Sequence, residues 1–136
     1  MQLNTHIGFN GQCKAAFQLY EKIFNGKIAM MMTYGDSPMA AQTDPAFRDK
    51  VMHAALDFDG QRLTGGDAPP QRYQQPQGIN VLLSLTEAAE AERIFQALSE
   101  NGVVHMPLAE TFWALRFGMV VDQFGTPWMI NCSKPM

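Results

Sequence analysis

The sequence predicts an α+β fold built from two consecutive βαβββ units, and three observations predict it. Stretches with apolar residues on alternate positions and stretches with apolar residues at helical spacing follow one another as strand, helix and several strands, and then do so again. Each helical stretch ends on Asn-Gly, at Asn25-Gly26 and Asn101-Gly102, and the two stops lie 76 residues apart, an offset that also carries the first strand near the fifth. Polar turns, Asp59-Gly60 in one half and "DQFG" in the other, separate the last two strands of each unit. With 136 residues, 46% apolar and 17% charged, the chain suits a single domain over 1–136, with repeat halves at about 1–67 and 78–136.

The elements follow in order. "LNTHIGF" at 3–9 carries Leu3, Ile7 and Phe9 on one parity, as a half-buried strand does. After the turn "NGQ", Ala16, Phe17, Tyr20, Ile23 and Phe24 fall at helical spacing over 13–24. "KIAMMMTY" at 27–34 reads as a strand, and "GDSPMAAQTDPAFRDK", with two prolines among polar turn residues, as a long, mobile loop. "VMHAALDF" at 51–58 and "QRLTGG" at 61–66 form a hairpin across Asp59-Gly60. Beyond the linker "APPQRYQQPQG", "INVLLSL" at 79–85 opens the second unit. Thr86 is the expected N-cap of the second helix, Glu87 and Glu90 sit near its positive end, and Ala91, Ile94, Phe95 and Leu98 form its apolar stripe. Strands are expected at 103–107, 111–121 and 127–132.

Charge and composition narrow the function. The net charge of −3 and the scattered Lys and Arg give no basic stripe, so neither nucleic acid nor a membrane surface is an expected partner. No apolar run approaches the roughly 20 residues that cross a bilayer. "MQLNTHIGFN" lacks the basic-then-apolar plan of a signal peptide, and a cytoplasmic protein is expected. Cys13 and Cys132 are isolated thiols without metal or disulfide spacing. "LTGGDAPP" is a glycine-rich turn after a strand, but prolines stand where a nucleoside-binding helix would begin, so methyl transfer from S-adenosylmethionine is not expected.

Three stretches carry a family resemblance: "FNGQCKAAFQLYEKIFNGK" at 9–27, "MHAALDFDG" at 52–60 and "ETFWALRFGMVVDQFGTPWMIN" at 110–131. Over nearly its whole length the chain resembles the PhnB-like branch of the vicinal oxygen chelate superfamily, which includes glyoxalase I, extradiol dioxygenases and bleomycin resistance proteins. The resemblance implies a curled mixed sheet with a concave cup that holds the site, and commonly a homodimer. It also implies, for the superfamily's enzymes, a divalent ion on His and Glu ligands that chelates two neighbouring substrate oxygens. Alignment to that pattern places ligand positions at Asn4, Asn80 and Met129, with another near Arg62 to Thr64, and none of these is a good hard-metal ligand. No metal ligand and no cofactor are therefore expected, a divalent metal being the alternative.

The remaining polar groups each have two readings. His6 and His53 are candidate proton-transfer groups, or strand histidines with structural hydrogen bonds. Glu110 is a third candidate for catalysis. Trp113, Phe112 and Arg116 are candidate ligand contacts, because an acid, a hydroxyl, two aromatics and an arginine gather within 110–116. On a single long strand Glu110 and Arg116 would share one face, and Trp113 and Phe117 the other. Asp67 is a binding candidate at a strand end or a turn cap. Asp122 reads as a turn residue, Trp128 as core, and Met30 to Met32 as an adaptable lining or core filling. Cys13 opens a helix, where the dipole would lower its pKa unless the thiol is simply inert. Two functions stay open: a metal-free cup that captures a small apolar or aromatic ligand, and a divergent glyoxalase- or dioxygenase-like lyase or isomerase.

Overall fold

Two four-stranded mixed sheets, each with a helix on one face, make up the computed structural model, which describes residues 1–135. The contacts divide the chain into Met1–Gln74 and a second unit from Gln75 onward. The first unit runs β1 (Thr5–Phe9), α1 (Cys13–Ile23), β2 (Lys27–Thr33), β3 (Val51–Phe58) and β4 (Gln61–Asp67). The second runs β5 (Val81–Leu85), α2 (Ala88–Ser99), β6 (Val103–Ala109), β7 (Ala114–Val121) and β8 (Pro127–Ser133). Strand orders are β1-β4-β3-β2 and β5-β8-β7-β6, so each first strand lies parallel to the last strand of its unit. The expected βαβββ duplication is thus present in both halves.

Each helix forms because its apolar stripe has a sheet to cover. α1 buries Cys13, Ala16, Phe17, Tyr20 and Ile23, and α2 buries Ala91, Ile94, Phe95 and Leu98. Each large side chain so buried contributes about 1.5–3 kcal/mol. α1 stops as its sequence predicts: Asn25 takes the left-handed conformation at φ 52°, and the Gly26 amide donates back to the Glu21 carbonyl. Asn101 repeats this at φ 58°. Here the asparagines supply the unusual dihedral and the glycines serve close packing. A Cβ on Gly26 would stand 2.7 Å from the Asp57 carbonyl oxygen, and one on Gly102 would stand 2.4 Å from that of Val121.

Several boundaries differ from the sequence reading. The cap of α2 is Glu87 through its backbone, while Thr86 lies outside and makes no cap, because Ala91 N–H bonds to the Glu87 carbonyl. Leu3 and Ile79 lie outside their strands, whose pairing begins at Thr5 and Val81, and are exposed. The 35–50 segment contains two 3-10 turns, Ala40–Gln42 and Pro45–Phe47, in place of the irregular loop expected. Arg48 fastens it by donating from Nε to the carbonyls of Ala40 and Thr43. The strand expected from 111 begins at Ala114, because Thr111 closes a turn, its Oγ1 accepting from the amides of Trp113 and Ala114.

Candidate binding site on the open face of the first sheet

One face of each sheet carries the helix, and alternation sends every second side chain to the other, open face. In the first unit Ile7, Leu63, Gly65 and Ala54 lie on the helix side, where Gly65 backs onto Phe17. His6 pairs with Thr64, Thr64 with Ala55, and Ala55 with Met30, which forms one row across the open face. Met32 pairs with His53 in the next row. The rings of His6 and His53 stack at 5.8 Å between centroids and 11° between planes. Beside them Gly8 is exposed and leaves bare backbone, where a Cβ would meet nothing within 4 Å, while its neighbour Gly66 is buried against the Met52 carbonyl. The result is a shallow recess over Gly8, rimmed by two imidazoles, a hydroxyl and two thioethers.

Hydrogen bonding fixes the chemistry of this recess. His6 Nδ1 lies 2.8 Å from Thr64 Oγ1, and the Thr5 carbonyl lies 3.3 Å from the same hydroxyl. His6 and Thr64 share one proton, and the His6 tautomer decides which of them donates. Burial, with the neighbouring His53 adding to it, lowers the His6 pKa below 6.5. The ring is therefore neutral at neutral pH. His53 has no hydrogen-bond partner among the described residues, which leaves both its nitrogens free for a bound molecule.

The lowered His6 pKa has a measurable consequence. Between its folded value and the unfolded 6.5 the unfolded chain binds the proton more readily. The stability from this group is complete above 6.5 and is lost as pH falls through the folded value. Urea midpoints measured at about pH 7.5 and about pH 5.5 should fall further in the wild type than in His6→Gln, and equal falls would contradict the linkage.

The other expected site residues lie elsewhere. Asp67 points to the helix side, 3% exposed, and its two oxygens accept from the amides of Cys13 and Val51. It ties α1 and β3 to the end of β4, so a binding role gives way to a structural one. Cys13 is buried there, and desolvation, with Asp67 adding to it, pushes its thiol up to about 12, the reverse of activation by the helix dipole. Glu110, Phe112 and Trp113 occupy the β6–β7 turn. Glu110 is exposed and ion-paired to Lys134 at 3.6 Å, and Phe112 is 89% exposed. Trp113 is 46% exposed and packs edge-on against Phe117 at 5.3 Å. Arg116 lies on the helix side, where it donates to Glu92 at 2.9 Å. The irregular register between Ala114 and Arg116 breaks the parity that would have put Arg116 with Glu110. Asp122 is the turn residue expected, and Trp128 is fully buried.

The open face of the second sheet combines an apolar row with a mixed one. Leu82, Met129 and Met119 pair in one row, and Ser84, Asn131 and Phe117 in the next. Asn131 Oδ1 is buried there without a hydrogen-bond partner among the described residues, a feature absent from the sequence reading.

The metal that the superfamily implies does not fit these donors. Register pairs Thr64 with His6 and Met129 with Leu82, so the last-strand positions of the two units offer a hydroxyl and a thioether. Asn4 spends its amide on the Arg62 carbonyl. Among the described residues no three His, Cys, Asp or Glu side chains group as a metal site.

A family model described as 3-demethylubiquinone-9 3-methyltransferase matches residues 1–131. The chain belongs to that family. It is 40% identical to protein PA1353 from Pseudomonas aeruginosa, with 99% of each chain covered and a TM-score of 0.90. A Bacillus cereus structure titled putative 3-demethylubiquinone-9 3-methyltransferase, PhnB protein, is 20% identical over 98% of this chain and 100% of that one, at a TM-score of 0.83. The fosfomycin resistance protein FosX from Listeria monocytogenes shares the fold at 11% identity and a TM-score of 0.64, over 98% and 93% of the two chains. The fold is that of the vicinal oxygen chelate superfamily, PhnB-like branch. A methyl donor's nucleoside finds no cradle at the glycines of this family member. Gly65 and Gly66 sit inside β4, where a Cβ would meet Phe17 at 2.8 Å and the Met52 carbonyl at 2.5 Å. After β4 the chain makes a turn closed by Arg72 N–H on the Pro69 carbonyl, and the helix N-terminus that faces the strand end, that of α1, is taken by Asp67, which accepts from the Cys13 amide.

Among the described residues no helix is long and apolar enough to cross a membrane.

Proposed function

We propose that the chain is a small-molecule-binding protein that works without a metal, its ligand lying in the recess on the open face of the first sheet. The observation that carries this is the His6, Thr64 and His53 cluster beside the bare Gly8 backbone: polar groups converge on an open surface without a hard-metal donor set. Such convergence marks ligand sites more than ordinary sheet surface. His6 Nε2 and His53 each accept from or donate to a ligand hydroxyl, and Met30 and Met32 adapt to an apolar or aromatic body. Catechol, a flat ring with two neighbouring hydroxyls, is the probe of choice. Calorimetric titration should show binding that weakens about tenfold in His53→Ala, the loss of one hydrogen bond and a ring contact. Equal affinity in wild type and variant would contradict the assignment.

A second reading, a lyase- or isomerase-type enzyme, is favoured by the state of His6. A neutral imidazole is a competent general base for a small oxygen-rich substrate. Glu110 takes no part in this reading, since its carboxylate is exposed and ion-paired to Lys134.

Association as a cytoplasmic homodimer belongs to the same proposal. β6 is an edge strand, and it exposes Val103, Val104 and Met106. An apolar unpaired edge is a surface that folded proteins cover. Light scattering should give twice the chain mass at micromolar concentration, and a monomer throughout that range would contradict it.

A further inference from the structure

A cavity opens within the first unit, lined by none of the residues of the His6 and His53 recess. It has a volume of about 870 Å³ and lies where the β1–α1 turn, the 34–50 segment and the turn after β4 meet. Its apolar wall is Tyr34, Phe47 and Met39, with the Tyr34 and Phe47 rings 5.1 Å apart. Its polar wall holds Lys50 and Arg72, with Gln12 beside them.

Two features of the charges set this cavity apart. Arg62, Arg93 and Arg116 each spend the guanidinium on a carboxylate, and Arg48 spends its Nε on carbonyls. Arg72 alone of the arginines has no side-chain hydrogen bond or ion pair among the described residues, although its charge acts on the Tyr34 hydroxyl, as does the opposite charge of Asp67 behind that ring, whose oxygens are taken up by the amides of Cys13 and Val51. Lys50 likewise has no carboxylate partner among them. Its ammonium donates to the Gly11 carbonyl at 3.3 Å and its stem lies along Gly11, which holds the charge at the cavity wall. The lining carboxylate, Asp44, is turned to its own chain and accepts from the Ala46 amide. In a chain of net charge −3, two cations without acidic partners beside an aromatic wall form a place for a negative ligand.

We propose that this cavity is a second binding site, which takes a small organic oxyanion, a carboxylate or phosphate head on an apolar or aromatic body. The head lies between Lys50 and Arg72, where the planar guanidinium pairs with two oxygens at once. The body lies against Tyr34, Phe47 and Met39. Tyr34 donates its hydroxyl to the Asp67 carbonyl, so this wall is fixed to the frame that holds α1 and β3 in place.

Amide NMR titration of the full chain at constant ionic strength tests the site, with phenyl phosphate, benzoate, inorganic phosphate and neutral benzyl alcohol as probes. The amides of Gly11, Gln12 and Ala46 should shift with phenyl phosphate, with benzoate or with both, and the tighter of the two names the head group. Affinity should fall about tenfold in Arg72→Gln and in Lys50→Gln, the loss expected for a charge-assisted hydrogen bond. The Arg72 side chain is exposed and bonds to nothing among the described residues, so its replacement leaves the fold intact. The proposal is overturned if benzyl alcohol shifts the same amides equally, if inorganic phosphate binds as tightly as phenyl phosphate, or if neither anion shifts them at millimolar concentration. Unchanged affinity in Arg72→Gln also overturns it. These amides lie off the His6 and His53 recess, so either site can fail while the other stands.

Discussion

Replacing Asp122 by Ala is expected to lower the free energy of unfolding by about 3–5 kcal/mol, the loss typical of breaking a buried charged network. Its Oδ1 accepts from the amides of Phe124 at 2.8 Å and Thr126 at 3.1 Å, and its Oδ2 accepts from Trp128 Nε1 at 2.8 Å. Asp122, Thr126 and Trp128 are all buried, so truncation strands donors that water does not easily reach. Asp122→Asn keeps one acceptor oxygen for the two amides and turns a donor toward the indole, and should cost about 1–3 kcal/mol. Urea unfolding of both variants checks the order. A loss below about 1 kcal/mol for Asp122→Ala would mean that the turn holds without the carboxylate.

Gly102→Ala is expected to be about as damaging, at about 3 kcal/mol or more, because every atom in the way is backbone. The new Cβ would stand 2.4 Å from the Val121 oxygen, 3.1 Å from the Asp122 Cα and 3.2 Å from the Leu98 oxygen. Overpacking is usually relieved by rotating a neighbouring side chain, and here α2 and the end of β7 would have to separate. Denaturant unfolding reads the cost. Gly8→Ala is the control: nothing lies within 4 Å of its Cβ, so it should unfold within about 1 kcal/mol of the wild type.

The fold was legible in the sequence because it rests on local signals. The stripe Ala16, Phe17, Tyr20, Ile23 and the stop Asn25-Gly26 specify α1 without reference to the rest of the chain. Asp122 and Trp128 were legible for the same reason, one by its turn and the other by its size. The candidate site was legible only in part. His6 and His53 stood out by residue type, but their meeting depends on β1 lying parallel to β4, with Thr64 opposite His6 across 58 residues of sequence. No local pattern encodes that register. Parity failed over 110–116 because Thr111 closes a turn and the register slips before Arg116, so residues expected on one face are divided between a turn and the helix side. Asp67 drew notice as a strand-end acid, and only the placement of Cys13 and Val51 around it shows why an acid is there. The cavity around Lys50 and Arg72 was hidden in a segment that reads as irregular loop, since its residues come together only when three turns meet.

Whether the recess over Gly8 binds its ligand without a metal is decided by methyl NMR of methionine-labelled protein, titrated with catechol first in EDTA and then with nickel, zinc or manganese. Met30 and Met32 lie on the open face beside Ala55 and His53, so their methyl groups report occupancy of the recess. Both signals should shift with catechol in EDTA, and added metal should change neither the shifts nor the affinity. Shifts that emerge only after a divalent ion is added would contradict metal-free binding, as would catechol leaving both methyl groups unmoved.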